Sequence, residues 1–238
     1  TKAAPVADFI AGSFSRIDSF RKCPKRFYEQ NIKKSIPWKQ TSQQIAGERV
    51  HKILENAVKD GTPPPPGYEK LAPLAQTTRN APGQTFTEMR MTLDRNGSPC
   101  GYNDWDRAYL RVVVDVMKVK GDVAWAGDYK TGKRTFDELQ LKLTAGVTFI
   151  HLPDVERVAT SYIFTEETSV DLPVVYHRAG LAQILAEPLD WMNRIQEANR
   201  TNTWPANPKK HGPPFCAWCP VNKAGLCEEA KMHAPGRD

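Results

Sequence analysis

Apolar residues at Ala46, Val50, Ile53, Leu54 and Ala57 recur at i, i+4, i+7, i+8 and i+11, the stripe of an amphipathic helix, and Gly61 stops it. Ahead of it, Ile17, Phe20 and Phe27 mark the buried side of a first helix, capped by Ser13 or Ser15 and running to about Ile32. Residues 62–84 open with four prolines, Pro63 to Pro66, then Gly67 and a polar stretch, which predicts a long surface loop. The period then changes to two. Met89, Met91 and Leu93 alternate with Glu88, Arg90 and Thr92, and Asn96-Gly97 follows as a turn. A β-branched run over 109–119, a turn at Lys120-Gly121-Asp122 and a return over 123–129 predict a hairpin. Asp137 is placed to cap a helix reaching about Phe149, strands are expected near 157–164 and 170–177, and a helix over 180–199. The tail after Trp204 shows little regular pattern, and no internal repeat is present.

That order of elements predicts an α/β protein, a mixed sheet with helices on its faces. A chain of 238 residues can bury one core and is expected to form a single domain over 1–238. No apolar run approaches the roughly 20 residues that span a bilayer, and no signal-peptide pattern opens the chain, so a cytoplasmic location is expected. The net charge of +6 and pI near 9.0 are compatible with a polyanionic partner without demanding one.

The chemistry concentrates in the hairpin. Asp115 follows Val112-Val113-Val114 in the β-branched run, and Asp128-Tyr129-Lys130-Thr131-Gly132 ends the return. Carboxylates in otherwise apolar strands need a partner, since burying them alone costs several kcal/mol. Asp128 and Lys130 share one face of their strand. Two carboxylates and an ammonium at one spot can hold a divalent metal and a water beside a phosphate. A plain salt bridge is the competing reading. A second acid-x-Lys triplet, Glu229 and Lys231, sits in the polar tail and reads as solvated surface. Taken alone, His51 reads as a half-buried helical histidine, Gln140 as an exposed helix amide and Glu88 as part of an exposed strand face.

Cys216, Cys219 and Cys227 form the second concentration. The C-x2-C spacing suits zinc or an iron–sulfur cluster, with Cys23, Cys100, His211 or His233 as candidates for the fourth ligand. A thiol–disulfide oxidoreductase is disfavoured, because the pair lies in a Pro-rich tail rather than between a strand and a helix.

Jointly these motifs resemble the RecB-like branch of the PD-(D/E)XK nucleases, especially the iron–sulfur members that include CRISPR-associated exonucleases. Cys23-Pro24-Lys25-Arg26-Phe27 matches the opening motif, Gly47 to His51 the Gly-x-x-x-His helix, and Asp115 the first acid. Asp128 to Gly132 matches the Asp-Tyr-Lys-Thr-Gly signature, and Gln140 the glutamine on the next helix. Thr144 stands where the family often has tyrosine, and the interval from Cys219 to Cys227 is long for it.

The resemblance implies a restriction-endonuclease-like core. It implies that His51, Asp115, Asp128 and the Tyr129 carbonyl ligate Mg²⁺ or Mn²⁺, with Lys130 positioning water or stabilising charge and Gln140 orienting Lys130 or touching the DNA backbone. It further implies that Cys23, Cys216, Cys219 and Cys227 hold a 4Fe-4S cluster, or alternatively Zn²⁺, joining 13–33 to 204–231. The expected activity is exonucleolytic cleavage of single-stranded DNA ends, with recombination or CRISPR adaptation proteins as partners and a phage source among the contexts. The alternative is a non-catalytic DNA-binding module with a structural zinc.

Overall fold

The structure is a computed structural model that describes residues 9–37, 39–208 and 213–231. The chain divides into two compact units, one of residues 40–188 and one of residues 1–39 with 189–238. Among the described residues no helix is long and apolar enough to cross a membrane.

The unit of residues 40–188 is a mixed α/β layer structure. Helix α3 (Ser42–Asp60) begins at a capping box in which Thr41 and Gln44 satisfy each other's backbone N–H, and ends at Gly61 in the left-handed conformation (φ 75°). Strands β1 (Gln84–Leu93), β2 (Leu110–Lys120) and β3 (Val123–Lys130) form an antiparallel meander. Helix α5 (Glu138–His151) then crosses over to β4 (Arg157–Phe164), which pairs parallel to β3. Short strands β5 (Ser169–Val170) and β6 (Val174–His177) both pair antiparallel with β4. The restriction-endonuclease-like arrangement of a mixed sheet flanked by helices is therefore present. The strand expected over 170–177 is split, because Pro173 offers no backbone donor to continue the ladder.

Residues 62–84 depart from the expected loop. A 3₁₀ turn at Glu69–Leu71 leads into α4 (Ala72–Asn80), whose Pro73 falls in the first turn, where no N–H is needed. Leu71, Leu74 and Ala75 have helical spacing and are buried against Val50, Leu54, Ala57 and Val58 of α3, together with Val116, Tyr129 and Ile163 of the sheet. The prolines masked that short stripe. Lys118 secures the end of α4. Its buried ammonium donates to the Arg79 carbonyl at 2.8 Å and to Thr85 Oγ1 at 2.7 Å, and burial holds its pKa below the usual lysine value.

In the other unit the first helix is also shorter than expected. Helix α1 (Phe14–Lys22) ends at Cys23, whose extended backbone (φ −163°, ψ 107°) is what a following proline imposes. Pro24 then opens α2 (Pro24–Phe27), which runs on as a π-helical turn over Tyr28–Ile32. Phe20 and Phe27 meet edge to face at 5.6 Å, and Trp204 stacks on Tyr28 at 5.1 Å. The long helix α6 (Leu181–Thr201) carries Pro188 inside it, at the division between units. The tail is more regular than its sequence suggests, with short helices α7 (Pro213–Trp218), α8 (Pro220–Lys223) and α9 (Glu228–Lys231).

Candidate active site

The site lies where the sheet forks. The β2–β3 ladder stops at Val116↔Gly127, so Asp115 and Asp128 are the first residues past the last pair. Beyond the fork Asp115 supplies the missing link, its Oδ2 accepting the Tyr129 N–H at 2.7 Å. On the other side of β2 the β1 ladder skips one position between Thr87↔Val116 and Met89↔Val114. The skipped residue, Glu88, has φ 51°, which is costly for a non-glycine residue inside a strand. Strain of that kind persists only where the surroundings enforce it, and here it sits opposite Asp115.

Helix α3 delivers His51. One turn before it, Gly47 lies so close to the end of β3 that a Cβ would meet Thr131 Oγ1 at 2.9 Å. Only glycine permits that approach without a shift. His51 Nδ1 then sits 3.2 Å from Asp115 Oδ1, with the Tyr129 ring edge-on to the imidazole. His51, Glu88 and Asp115 each present a ligand atom within 4.8 Å of the others, the one such trio among the described residues. Burial works against a charged His51, but the Asp115 contact and the charges of Asp128 and Glu88 outweigh it and raise its pKa. Burial first, then Asp115 and Glu55, raise Glu88.

A second network adjoins the first. Asp128 and Lys130, alternate residues on β3, form an ion pair at 2.8 Å. From the first turn of α5, capped by Asp137 as expected, Gln140 donates to Asp128 Oδ1 and accepts from Lys130 Nζ at 2.8 Å. Tyr162 lies beside Asp128 on β4. Its hydroxyl donates to the Asp137 carbonyl at 2.8 Å and contacts Gln140 Oε1 at 3.3 Å, while its ring lies 4.7 Å from Lys130 Nζ. Asp128 Oδ2 meets Lys130 yet takes no well-directed hydrogen bond. Burial pushes the Asp128 carboxyl up to about 6 against the opposing charge of Lys130.

The structure thus groups His51 and Asp115 with Glu88, and Asp128 and Lys130 with Gln140, the two groups joined through the Tyr129 backbone. From sequence Glu88 reads as an exposed strand face, and Tyr162 is not singled out. Glu88 fits the polar phase of an alternating strand, and Tyr162 reads as core.

Cys23, Cys216, Cys219 and Cys227 line one cavity in the unit that holds both chain ends. All four are free thiols, and no three of them meet at the 4.8 Å spacing of the His51 trio, so the cavity brings the expected ligands together without showing a formed four-cysteine cluster. Burial raises the Cys216 and Cys227 thiols, with Cys219 and Cys23 adding to the first and chiefly Glu229 to the second. His211 and His233 lie outside the described residues.

The model of the PD-(D/E)XK nuclease superfamily matches residues 11–224. The chain belongs to this superfamily. The fork carboxylates and Lys130 of this PD-(D/E)XK nuclease all fall within that match. Two solved structures are similar to it. "SSO0001" has 14% identity and a TM-score of 0.43, and a "putative exonuclease" from Eubacterium rectale has 11% identity and a TM-score of 0.49. Each alignment covers 96% of this chain and 90% of the other. Among curated proteins none matches at a significant level.

Proposed function

We propose that the protein is a divalent-metal-dependent deoxyribonuclease acting as an exonuclease on single-stranded DNA ends. The observation that carries this reading is the carboxylate–imidazole trio beside the Asp128–Lys130 pair, at a fork where two strands leave their ladder. The donor set fits a hard cation, with carboxylate oxygens for Mg²⁺ or Mn²⁺ and one imidazole favouring Mn²⁺. Asp128 is itself suited to a cation, being a carboxylate whose pKa burial raises even against the charge of Lys130.

His51, Asp115 and Asp128, with the Tyr129 carbonyl and Glu88, would hold the ion. When bound, it supplies an acidified water and neutralises charge on the scissile phosphate. Lys130, held by Gln140 and backed by Tyr162, directs its ammonium at the phosphate, where negative charge develops. Gln140 fixes Asp128 and Lys130 relative to each other, so neither has to reorganise as the reaction proceeds. In the other unit, the four thiols around one cavity support a structural iron–sulfur cluster, with zinc as the alternative.

End-labelled single- and double-stranded DNA incubated with Mn²⁺ tests the reading. Wild type is expected to degrade the single strand from an end, while Lys130→Ala and Asp115→Ala lose at least about 100-fold in rate, the scale of removing a positioned charge. An EDTA control should be inert. Wild-type levels of cleavage by either variant would sink the assignment. Tight DNA binding without cleavage by wild type would favour the non-catalytic DNA-binding module.

A further inference from the structure

The β1–β2 connection is far longer than a hairpin needs. Two to five residues suffice, yet residues 94–109 intervene between Leu93 and Leu110. The excursion brings two aromatic rings back over the strands. Arg90 of β1 lies over the Tyr102 ring at 5.2 Å, Arg111 of β2 lies over the same ring at 5.5 Å, and Arg111 lies over Trp105 at 3.9 Å. The contacts alternate cation and ring from Arg90 through Tyr102 and Arg111 to Trp105. The last member is 67% exposed, an unusual state for an indole.

Asp94, Asp104 and Asp106 offset most of the charge of Arg90, Arg95, Arg107 and Arg111, which leaves residues 90–111 at a net +1. In the same loop Arg107 is taken up by Asp94 at 3.1 Å, and Asp94 also caps its own turn through the Asn96 and Ser98 N–H groups. Arg111 has no carboxylate partner among the described residues, and its Nε and Nη2 are buried without a hydrogen bond. A guanidinium without an ion-pair partner under an exposed indole is chemistry suited to a nucleotide, offering chiefly a stacking face for the base, with Asp104 and Asp106 beside it limiting attraction to the phosphate.

The platform also lies on a route to the fork. Arg111, Val113 and Asp115 are alternate residues of β2 and share one face. Between the two ends Val113 is 39% exposed, and Arg90, its partner on β1, is exposed as well. Four residues of strand separate Arg111 from Asp115 by about 13 Å, a few nucleotides of extended chain.

We propose that Trp105, backed by Arg111, Tyr102 and Arg90, is a stacking subsite for an unpaired base of the substrate strand. This rests on the nuclease reading above and adds to it a contact that requires the base to be out of a duplex. The subsite takes any base, because every base offers a π-face.

The test uses the full chain in EDTA, a fluorescein-labelled oligothymidylate, and versions of it with one abasic position moved along the strand. Anisotropy titrations compare wild type with Trp105→Ala and Trp105→Phe, and thermal melts confirm folding. Trp105→Ala is expected to bind the single strand at least about fivefold more weakly, the low end of one stacked base, while Trp105→Phe keeps most of the affinity. One abasic position should weaken wild type by a similar factor and leave Trp105→Ala unaffected. Unchanged affinity in Trp105→Ala, with wild type binding and then cleaving in Mn²⁺, would overturn the subsite and leave the nuclease reading standing. An equal loss on blunt duplex would also overturn it, by showing a backbone contact. If wild type neither binds nor cleaves, both readings fall together.

Discussion

At the scale of single residues, protons and the proposed metal ion would compete for the same atoms. Asp128 is pushed up to about 6 from an ordinary 3.8, so its contribution to the metal-free fold is fully present below that ordinary value. The contribution is lost as pH rises through about 6. His51 is raised from 6.5, so its pairing with Asp115 stabilises the fold at low pH and is lost as pH climbs through the raised value. A divalent ion needs both groups deprotonated and reverses the trend. Melting curves with EDTA and with Mn²⁺ should therefore separate widely at pH 8 and converge at pH 5; an equal shift at both would contradict the ligand set. Tyr162 offers a different test. Tyr162→Phe leaves the Asp137 carbonyl and Gln140 without their hydroxyl partner, which should cost about 1 kcal/mol of stability. Cleavage should fall about tenfold through kcat, and an unchanged kcat would show that Lys130 does not depend on this support. Asp128 and Lys130 were legible because they are charged residues in an apolar strand, whereas Tyr162 was not, because tyrosine on a central strand is indistinguishable from core. Glu88 escaped because its meaning comes from a left-handed backbone angle that alternation does not encode.

At the scale of elements, the site depends on strands that separate and on a helix that comes close. Gly47→Ala would place a methyl 2.9 Å from Thr131 Oγ1, and either that hydroxyl turns aside or α3 withdraws. Alanine favours the helix by about 1 kcal/mol over glycine, which offsets the crowding. The expected outcome is a melting temperature within a few degrees of wild type with slower cleavage, because His51 rides on the same helix. Full activity would show that the hydroxyl yields and that the close approach does not set His51. The hairpin, the crossover helix and the α3 stripe were all readable from period and turn residues. Helix α4 was not, since three apolar positions beside four prolines give too short a signal. The break at Cys23 follows from the proline after it, a local constraint that outweighed the apolar spacing of Ile17, Phe20 and Phe27.

At the scale of the whole molecule, the two units carry different chemistry. Carboxylates and imidazole gather in residues 40–188, and four of the five thiols gather in the unit of residues 1–39 with 189–238. Protein purified without oxygen is expected to carry iron or zinc by elemental analysis, and Cys23→Ser or Cys216→Ser to lose it. Equal metal content in those variants would remove the cysteine site from the proposal. The division also bears on how the protein is made. Residues 40–188 leave the ribosome as a continuous stretch and can fold on emergence, but the segment before them waits for residues 189 onward to complete its own unit. At ordinary elongation rates Cys23 precedes Cys216 by roughly 10 to 40 s of synthesis. Throughout that interval Phe20, Phe27 and Tyr28 lack the Trp204 ring they pack against, so the nascent chain carries a nuclease core whose flanking aromatic segment is bare to the chaperones around it.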